Sequence, residues 1–224
     1  MATFSKVLLN PARRQGRKYL TNPNALHAAV MACFPPDIDQ RAERVLWRLD
    51  NRGQEHILYI VGPEKPTAAH IVETAGWDTR PQLSADYDRF LNQLMRGQVW
   101  YFELVANPTV SRSRGKGERG RVTGVIGAEG QLDWLHRKAE AMGVSFGPRE
   151  ASTAFVVGKS TQRFQRGPAD DRPRDRVTLL TARFGGQLEV VDPQKLREAL
   201  VKGVGRAKGY GCGLLTLAQS VGEG

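Results

Sequence analysis

Val45-Leu-Trp-Arg-Leu-Asp-Asn-Arg-Gly-Gln-Glu-His-Ile-Leu-Tyr-Ile-Val-Gly62 is the segment from which the fold class follows most directly. Its two apolar runs, 45–50 and 56–62, are rich in the branched and aromatic residues that favour β-strands. The five residues between them include Asn51-Arg-Gly53, a composition typical of hairpin loops. The segment therefore predicts a pair of antiparallel strands.

The elements on either side of this hairpin complete a recognisable order. A β-prone segment, 3–9, comes first, and a helix follows with Asn22 as its N-cap and Pro23 at its first position. A second helical segment, 67–75, comes after the hairpin, and 76–97 is expected to connect it onward with one short helix. The order β-α-β-β-α is that of a ferredoxin-like unit.

The same order begins again at residue 97. The expected elements are strands at 99–105, 151–157, 177–184, 187–191 and 214–218, with helices at 131–142 and after Asp192-Pro193. Gly185-Gly186 is interpreted as a two-residue hairpin turn. The sequence thus predicts an α+β protein of two tandem ferredoxin-like (RRM-like) domains, at 1–88 and 97–224. Tyr101 and Phe102 point to opposite faces and are interpreted mostly as core, so no RRM aromatic signature is expected.

The composition favours a polyanionic partner, and charge alone is compatible with either nucleic acid or an acidic membrane surface. Among 224 residues, 33 are Lys or Arg and 23 are Asp or Glu, which gives a formal net charge of +10. No stretch reaches the ~18 apolar residues of a membrane span, and no signal peptide is present, so no membrane partner is expected. Cys33 and Cys212 are isolated, without a CxxC motif, which favours a reducing, cytoplasmic location.

The cations are concentrated in three tracts, which together indicate a surface that follows a phosphate backbone. The first tract is expected in a loop at 10–18, the second spans 111–121, and the third lies in or beside a β-hairpin. Their cations are Arg13, Arg14, Arg17 and Lys18; Arg112, Arg114, Lys116, Arg119 and Arg121; and Lys159, Arg163 and Arg166.

Gly203-Val-Gly-Arg-Ala-Lys-Gly-Tyr-Gly-Cys-Gly213, the glycine loop, has five glycines and two cations in eleven residues. Glycines such as Gly203 and Gly205 allow close backbone approach, and exposed N–H groups with Arg206 and Lys208 would make an anion site. The loop follows a helix and precedes a strand, whereas a dinucleotide fingerprint or a Walker loop needs the opposite order. A loop that contacts phosphate is the remaining prediction.

His27 is the strongest candidate for proton transfer. It lies near the start of a helix, where the helix dipole disfavours the imidazolium form, and a neutral imidazole beside a phosphate can act as a general base. A lone helical histidine is also compatible with a purely structural role. No cluster of His, Cys, Asp or Glu has metal-ligand spacing, so the sequence predicts neither a metal nor a cofactor.

Taken together, six segments resemble one family, the CasE-type endoribonucleases that process CRISPR repeat RNA in the Cascade complex. They occur in the family's order from end to end of the chain. The segments are Asn10-Pro-Ala-Arg-Arg, Asn22-Pro-x-x-x-His27, Leu46-Trp-Arg-Leu, Ala106-Asn-Pro108, Leu188-Glu-Val-Val-Asp-Pro193 and Gly203-Val-Gly-x-x-Lys-x-x-Gly-x-Gly-Leu-Leu.

The resemblance implies metal-independent cleavage at the base of a repeat stem-loop. It leaves a 2′,3′-cyclic phosphate and a 5′-hydroxyl, and the enzyme stays on its product as a Cascade subunit. His27 falls at the family's catalytic histidine and Lys208 at a lysine of its glycine loop. Family members can carry a tyrosine three residues before that histidine, where this chain has Asn24. Tyr19 and Lys208 are therefore the candidates for catalytic support.

Two other functions stay open at this point. A stem-loop RNA-binding subunit that caps the RNA without cutting it is favoured by the missing phenol at position 24. A general nucleic-acid architectural protein would bind any duplex equally, with a steep salt dependence.

Overall fold

The computed structural model describes residues 2–38, 44–112, 121–165 and 176–219. The first half contains a four-stranded sheet with strand order β2-β3-β1-β4, in which every pair of neighbours is antiparallel. Its elements are β1 (Thr3–Leu9), α1 (Arg14–Thr21), α2 (Pro23–Met31), β2 (Leu46–Arg52), β3 (Glu55–Gly62), α3 (Ala69–Ala75), β4 (Leu83–Asp86) and α4 (Tyr87–Leu91).

The second half repeats this arrangement. Its main sheet has the order β11-β5-β10, and both β9 and the short β8 pair with the far side of β10. Its elements are β5 (Val99–Ala106), β6 (Thr109–Arg112), β7 (Arg121–Gly124), α5 (Ala128–Met142), β8 (Val144–Ser145), β9 (Ala154–Gln165), β10 (Arg176–Val190), α6 (Pro193–Lys202) and β11 (Leu215–Ala218). In both halves the first strand of the unit lies between the third and the fourth, so the prediction of two tandem ferredoxin-like units is confirmed.

The helix starts that were predicted from capping residues are confirmed. The Asn22 side chain accepts hydrogen bonds from the backbone N–H groups of Asn24 and Ala25, and Pro23 is the first residue of α2. Asp192 caps α6 in the same way, through the N–H groups of Gln194 and Lys195. These local bonds satisfy backbone donors that have no partner inside the helix.

The Gly185-Gly186 turn was wrongly predicted. β10 runs through both glycines without interruption and pairs with β5 on one side and β9 on the other. Gly186 has φ +130°, and a Cβ there would lie 2.0 Å from the Thr153 carbonyl oxygen. Gly186 is thus required by a close approach between two backbones. A tight turn also selects glycine, so the two situations look alike in the sequence.

Three further expectations are corrected. The first basic tract is largely helical, because Arg14, Arg17 and Lys18 lie on α1 rather than in a loop. Leu83–Asp86, expected as connecting structure, is the fourth strand of the first sheet. Tyr101 is not core, because it is 45% exposed, whereas its neighbour Phe102 is 2% exposed.

The hydrophobic core has two clusters, and one of them joins the two halves. Val7, Leu26 and Trp47 belong to a cluster between the first sheet and its helices. The other cluster contains Leu46 of the first sheet together with Leu104 and other residues of the second. The side chains of the two sheets thus pack against each other in one cluster. The domain boundaries at 1–88 and 97–224 stay a prediction. No helix in the described ranges is long and apolar enough to cross a membrane.

Candidate active site

His27 lies where α2 meets two elements that are distant in sequence. A single 3₁₀ turn in the glycine loop, Lys208–Tyr210, packs against both α2 and β2. The indole Nε1–H of Trp47, on β2, donates a hydrogen bond to His27 Nδ1 at 3.4 Å. Burial lowers the pKa of His27 below its ordinary value, because a charged imidazolium loses hydration there. His27 is therefore a neutral imidazole at physiological pH.

Two glycines allow the glycine loop to close on this pair of side chains. A Cβ on Gly209 would lie 3.4 Å from His27 Nε2, and one on Gly211 would lie 2.7 Å from the Trp47 ring. Gly211 also has φ +77°, a left-handed conformation that disfavours other residues. The loop backbone is thus packed directly against His27 and Trp47.

The cations of the glycine loop differ in their surroundings. Lys208 Nζ donates a hydrogen bond to the Lys202 carbonyl oxygen at 2.6 Å, which ties the loop to the end of α6. Burial, and then the nearby charge of Arg44, lower the pKa of Lys208. Arg206 is exposed at the tip of the loop. Gly203 and Gly205 have positive φ and approach Leu46 and Trp134 closely, so they shape the loop from inside.

A cavity of about 130 Å³ is lined by Trp47 and Gly211, whereas His27 is not part of its wall. Tyr19, which the sequence singled out, lines this cavity but is 7% exposed and belongs to the core around α2. Tyr210 of the 3₁₀ turn lines it from the opposite direction, with its ring 4.9 Å from that of Phe164. Asn24 lies one helical turn before His27 on α2.

Two of the three basic tracts flank this site. Lys159 and Arg163 are exposed on β9, which packs beside α2. On α1, which also packs against α2, Arg14 and Lys18 are exposed. The other α1 cations are engaged locally: Arg17 donates to the carbonyls of Pro11 and Ala12, and Arg13, the N-cap residue, pairs with Asp78 at 2.6 Å.

The two ends of the remaining tract lie on a separate two-stranded ribbon. β6 and β7 pair with each other, and Arg112 lies opposite Arg121 in their register. A Cβ on Gly124 of this ribbon would lie 2.6 Å from Leu180, which places the ribbon next to β10. Arg114, Lys116 and Arg166 lie outside the described residues.

A cluster of buried charges holds β2 against the second sheet. Arg48 and Asp50, with side chains 2% and 1% exposed, form a bidentate ion pair at 2.9 and 2.7 Å. Arg48 also donates to the carbonyls of Glu103 and Leu214, and Arg183 of β10 reaches Asp50 at 2.7 Å. We call the buried Arg48 and Asp50, together with the partly exposed Glu103 and Arg183 that contact them, the buried ion cluster. It positions β2, and with it Trp47, relative to the strands that hold the glycine loop.

Burial alone would raise the pKa of Asp50. The hydrogen bonds and charges of Arg48 and Arg183 outweigh burial and bring that pKa below its ordinary value. Asp50 is therefore ionised inside the protein. Among the described residues, no group of three or more His, Cys, Asp or Glu side chains is arranged to hold a metal ion.

Comparison with known proteins identifies the family of this chain. The family model described as CRISPR associated protein matches residues 4–219. The chain belongs to this family. It is 30% identical over 217 residues to the CRISPR-associated endoribonuclease Cse3 of Thermus thermophilus, covering 96% of this chain and 99% of that protein.

Solved structures of family members have the same fold. Thermus thermophilus Cse3 bound to an RNA representing a pre-cleavage complex matches with a TM-score of 0.78 and 25% identity, over 97% of this chain and 98% of that one. Cas6e from Escherichia coli str. K-12 matches with a TM-score of 0.59 and 21% identity, over 98% and 100% of the two chains.

Sequence reasoning missed three residues of the site in this family member. Trp47 stood inside a quoted motif, but its bond to His27 joins positions twenty residues apart. Tyr210 stood inside the quoted glycine loop, but nothing in that pattern distinguished it from the residues around it, and Arg44 stood outside the quoted tracts. An exposed cation directly before a predicted strand was the signal available for Arg44.

Proposed function

We propose that the protein is a metal-independent endoribonuclease that binds and cuts the stem-loop of CRISPR repeat RNA. The observation that carries this proposal is the position of His27, which lies half-buried against the glycine loop with the cations of β9 alongside. Similarity to the endoribonuclease Cse3 over 96% of the chain supports the same activity.

The reaction is an internal transesterification. The 2′-oxygen bonds to the adjacent phosphorus while the bond from phosphorus to the 5′-oxygen breaks. The 2′-hydroxyl loses a proton, and the leaving 5′-oxygen gains one, so the products carry a 2′,3′-cyclic phosphate and a 5′-hydroxyl. His27 acts at one of these two proton positions, and the cations and donors of the glycine loop offset charge on the pentacoordinate phosphorus.

RNA binding is assigned to the cations around this site. Lys159 and Arg163 on β9, Arg14 and Lys18 on α1, and Arg206 on the loop would follow the stem by its A-form shape. Lys208 supports the loop through its bond to the Lys202 carbonyl and adds positive charge beside the phosphate. The protein then stays on the mature RNA as a Cascade subunit in the cytoplasm, where free thiols such as buried Cys33 and Cys212 persist.

The test compares the parent with His27→Ala on the cognate repeat RNA in the presence of EDTA, with the ends of the products identified. If His27 is the proton-transfer group, its loss should slow single-turnover cleavage by about 10²- to 10⁴-fold. His136→Ala is the matched control, because His136 is also a partly buried helical histidine, bonded to Ser152 of the second half. It should cut at the parent rate.

Each alternative outcome has a defined meaning. Tight binding of the stem-loop with no cut by the parent would identify a capping subunit, the function favoured by Asn24. Equal affinity for any duplex would identify a general architectural protein. A cut that EDTA abolishes, or one that His27→Ala performs at the parent rate, would contradict the proposed mechanism.

A further inference from the structure

The hydrogen bond between Trp47 and His27 has a fixed direction. An indole nitrogen can only donate, so His27 Nδ1 must accept with its lone pair and carry no proton. In a neutral imidazole the single ring proton is then on Nε2. This nitrogen is on the side of the glycine loop, because a Cβ on Gly209 would lie 3.4 Å from it.

We propose that Trp47 is a positioning residue for His27: its indole N–H keeps the imidazole proton on Nε2 and holds that nitrogen toward the glycine loop. An imidazolium has protons on both nitrogens, so charging His27 requires the bond from Trp47 to break. Moving the proton from Nε2 to Nδ1 also requires this bond to break. The bond from Trp47 therefore disfavours both the imidazolium and the neutral tautomer with its proton on Nδ1.

The two rings of the Trp47 side chain make different contacts. The ring atoms nearest a Cβ built on Gly211 are Cε3, Cζ3 and Cη2, all on the six-membered ring. The N–H that meets His27 is on the five-membered ring. Trp47 is 3% exposed and lies on a strand beside the buried ion cluster, so its orientation is fixed. Trp47→Phe removes the donor and also vacates part of the space next to Gly211, so the titration of His27, rather than the stability of the variant, is the readout that isolates the hydrogen bond.

This arrangement gives His27 a defined role in the proposed cleavage, on which this step rests. With its proton on Nε2, His27 meets the phosphate as a hydrogen-bond donor and stabilises negative charge on the phosphorane or the leaving 5′-oxygen. A neutral imidazole that acts as an electrophile is a known catalytic device. To accept the 2′-hydroxyl proton through Nε2, His27 would first have to give up its bond from Trp47.

The charged surroundings of His27 are unchanged by the test substitution. Burial is the cause of the lowered pKa of His27. The titratable and charged groups on the elements packed against α2 are Arg14, Arg17, Lys18 and Tyr19 on α1, Lys159 and Arg163 on β9, and Lys208 and Tyr210 on the 3₁₀ turn, and His70 of α3 bonds to the Ala29 carbonyl of α2. Trp47→Phe leaves all of them in place, so a change in His27 can be assigned to the lost donor.

The experiment follows the ring nitrogens of His27 by ¹⁵N NMR during a pH titration of the RNA-free protein. In the parent we expect a proton on Nε2 and none on Nδ1 over the neutral range. In Trp47→Phe the pKa of His27 should rise by about 0.5 to 1 unit, the shift equivalent to one hydrogen bond. Single-turnover cleavage should slow by roughly 3- to 10-fold at neutral pH.

Trp100→Phe is the matched control, because it also removes a buried indole donor, in this case to Gln98. It should leave the His27 titration unchanged. A proton on Nδ1 in the parent would overturn the inference, even if Trp47→Phe failed to fold. So would an unchanged His27 pKa in a folded Trp47→Phe. Because the titration needs no RNA, a failure of the proposed nuclease function would appear separately, as absent cleavage in the parent.

Discussion

Neutralising Asp50 should destabilise the whole molecule, because Asp50 balances the charge of Arg48 inside the protein. Removing one partner of a buried ion pair costs about 3–5 kcal/mol. In Asp50→Asn, Arg48 would keep the Glu103 carboxylate at 3.2 Å and two carbonyl oxygens. We therefore expect a loss at the low end of that range, about 3 kcal/mol in the free energy of unfolding.

Urea unfolding at neutral pH measures this loss. One core cluster joins the two halves, so a single transition is expected. Arg52→Gln is the control: it removes an ion pair to the same Glu103, but with side chains 56% and 37% exposed, and should cost less than about 1 kcal/mol. If Asp50→Asn lost no more stability than Arg52→Gln, the buried ion cluster would not be what holds β2 in place.

The same residue gives the expected pH dependence. The pKa of Asp50 is lower in the folded protein than its ordinary value of 3.8. Its contribution to stability is therefore complete above that value and is lost as the pH falls through the lowered folded pKa. Unfolding measured across the acid range should show a smaller loss of stability in Asp50→Asn than in the parent.

Three further predictions concern the site itself. Gly211→Ala should lower the melting temperature, at a cost of about 1–3 kcal/mol, because φ is +77° and the new Cβ would lie 2.7 Å from the Trp47 ring; Gly158→Ala, with an ordinary φ and only a van der Waals contact to Arg183 Cβ at 4.0 Å, should not. Asn22→Ala should lose about 1 kcal/mol by urea unfolding, since α2 loses its N-cap. If neutral His27 is the active form, single-turnover cleavage should stay constant as the pH falls to 6.5 and decline only below it; a decline centred above 6.5 would contradict this assignment.

The parts of the fold that could be predicted are those with local causes. Asn22 and Asp192 cap their helices through bonds to the next few residues, so their sequence patterns suffice. The helix α1 could not be predicted in the same way, because only Gly16 and Tyr19 are buried on it. A Cβ on Gly16 would lie 1.9 Å from the Asn10 carbonyl oxygen and 3.2 Å from that of Ala75 at the end of α3, so the position of the helix depends on close backbone contacts rather than on periodicity.

The residues of the site can also be separated into those with local causes and those that depend on tertiary packing. His27 could be found from its place at the start of a capped helix and from the family motif. Its hydrogen-bond donor could not, because the Trp47–His27 contact depends on how α2 lies across β2. The approach of Gly209 and Gly211 depends further on how the two sheets pack, and no spacing in the sequence records it. Gly185-Gly186 shows the same limit, since a close backbone approach and a tight turn both select glycine.

The glycine loop therefore has a different physical basis from the one its composition suggests. Gly203, Gly205 and Gly211 combine positive φ with side chains packed where a Cβ would be, and Gly209 faces the His27 ring. Packing against Leu46, Trp134, Trp47 and His27 accounts for these glycines without a phosphate. Charge on the loop resides in Arg206 and Lys208, whereas the shape of the loop resides in the glycines. It follows that the salt dependence of RNA binding should track the cations, and the rate of the chemical step should track the glycines that hold His27 and Trp47.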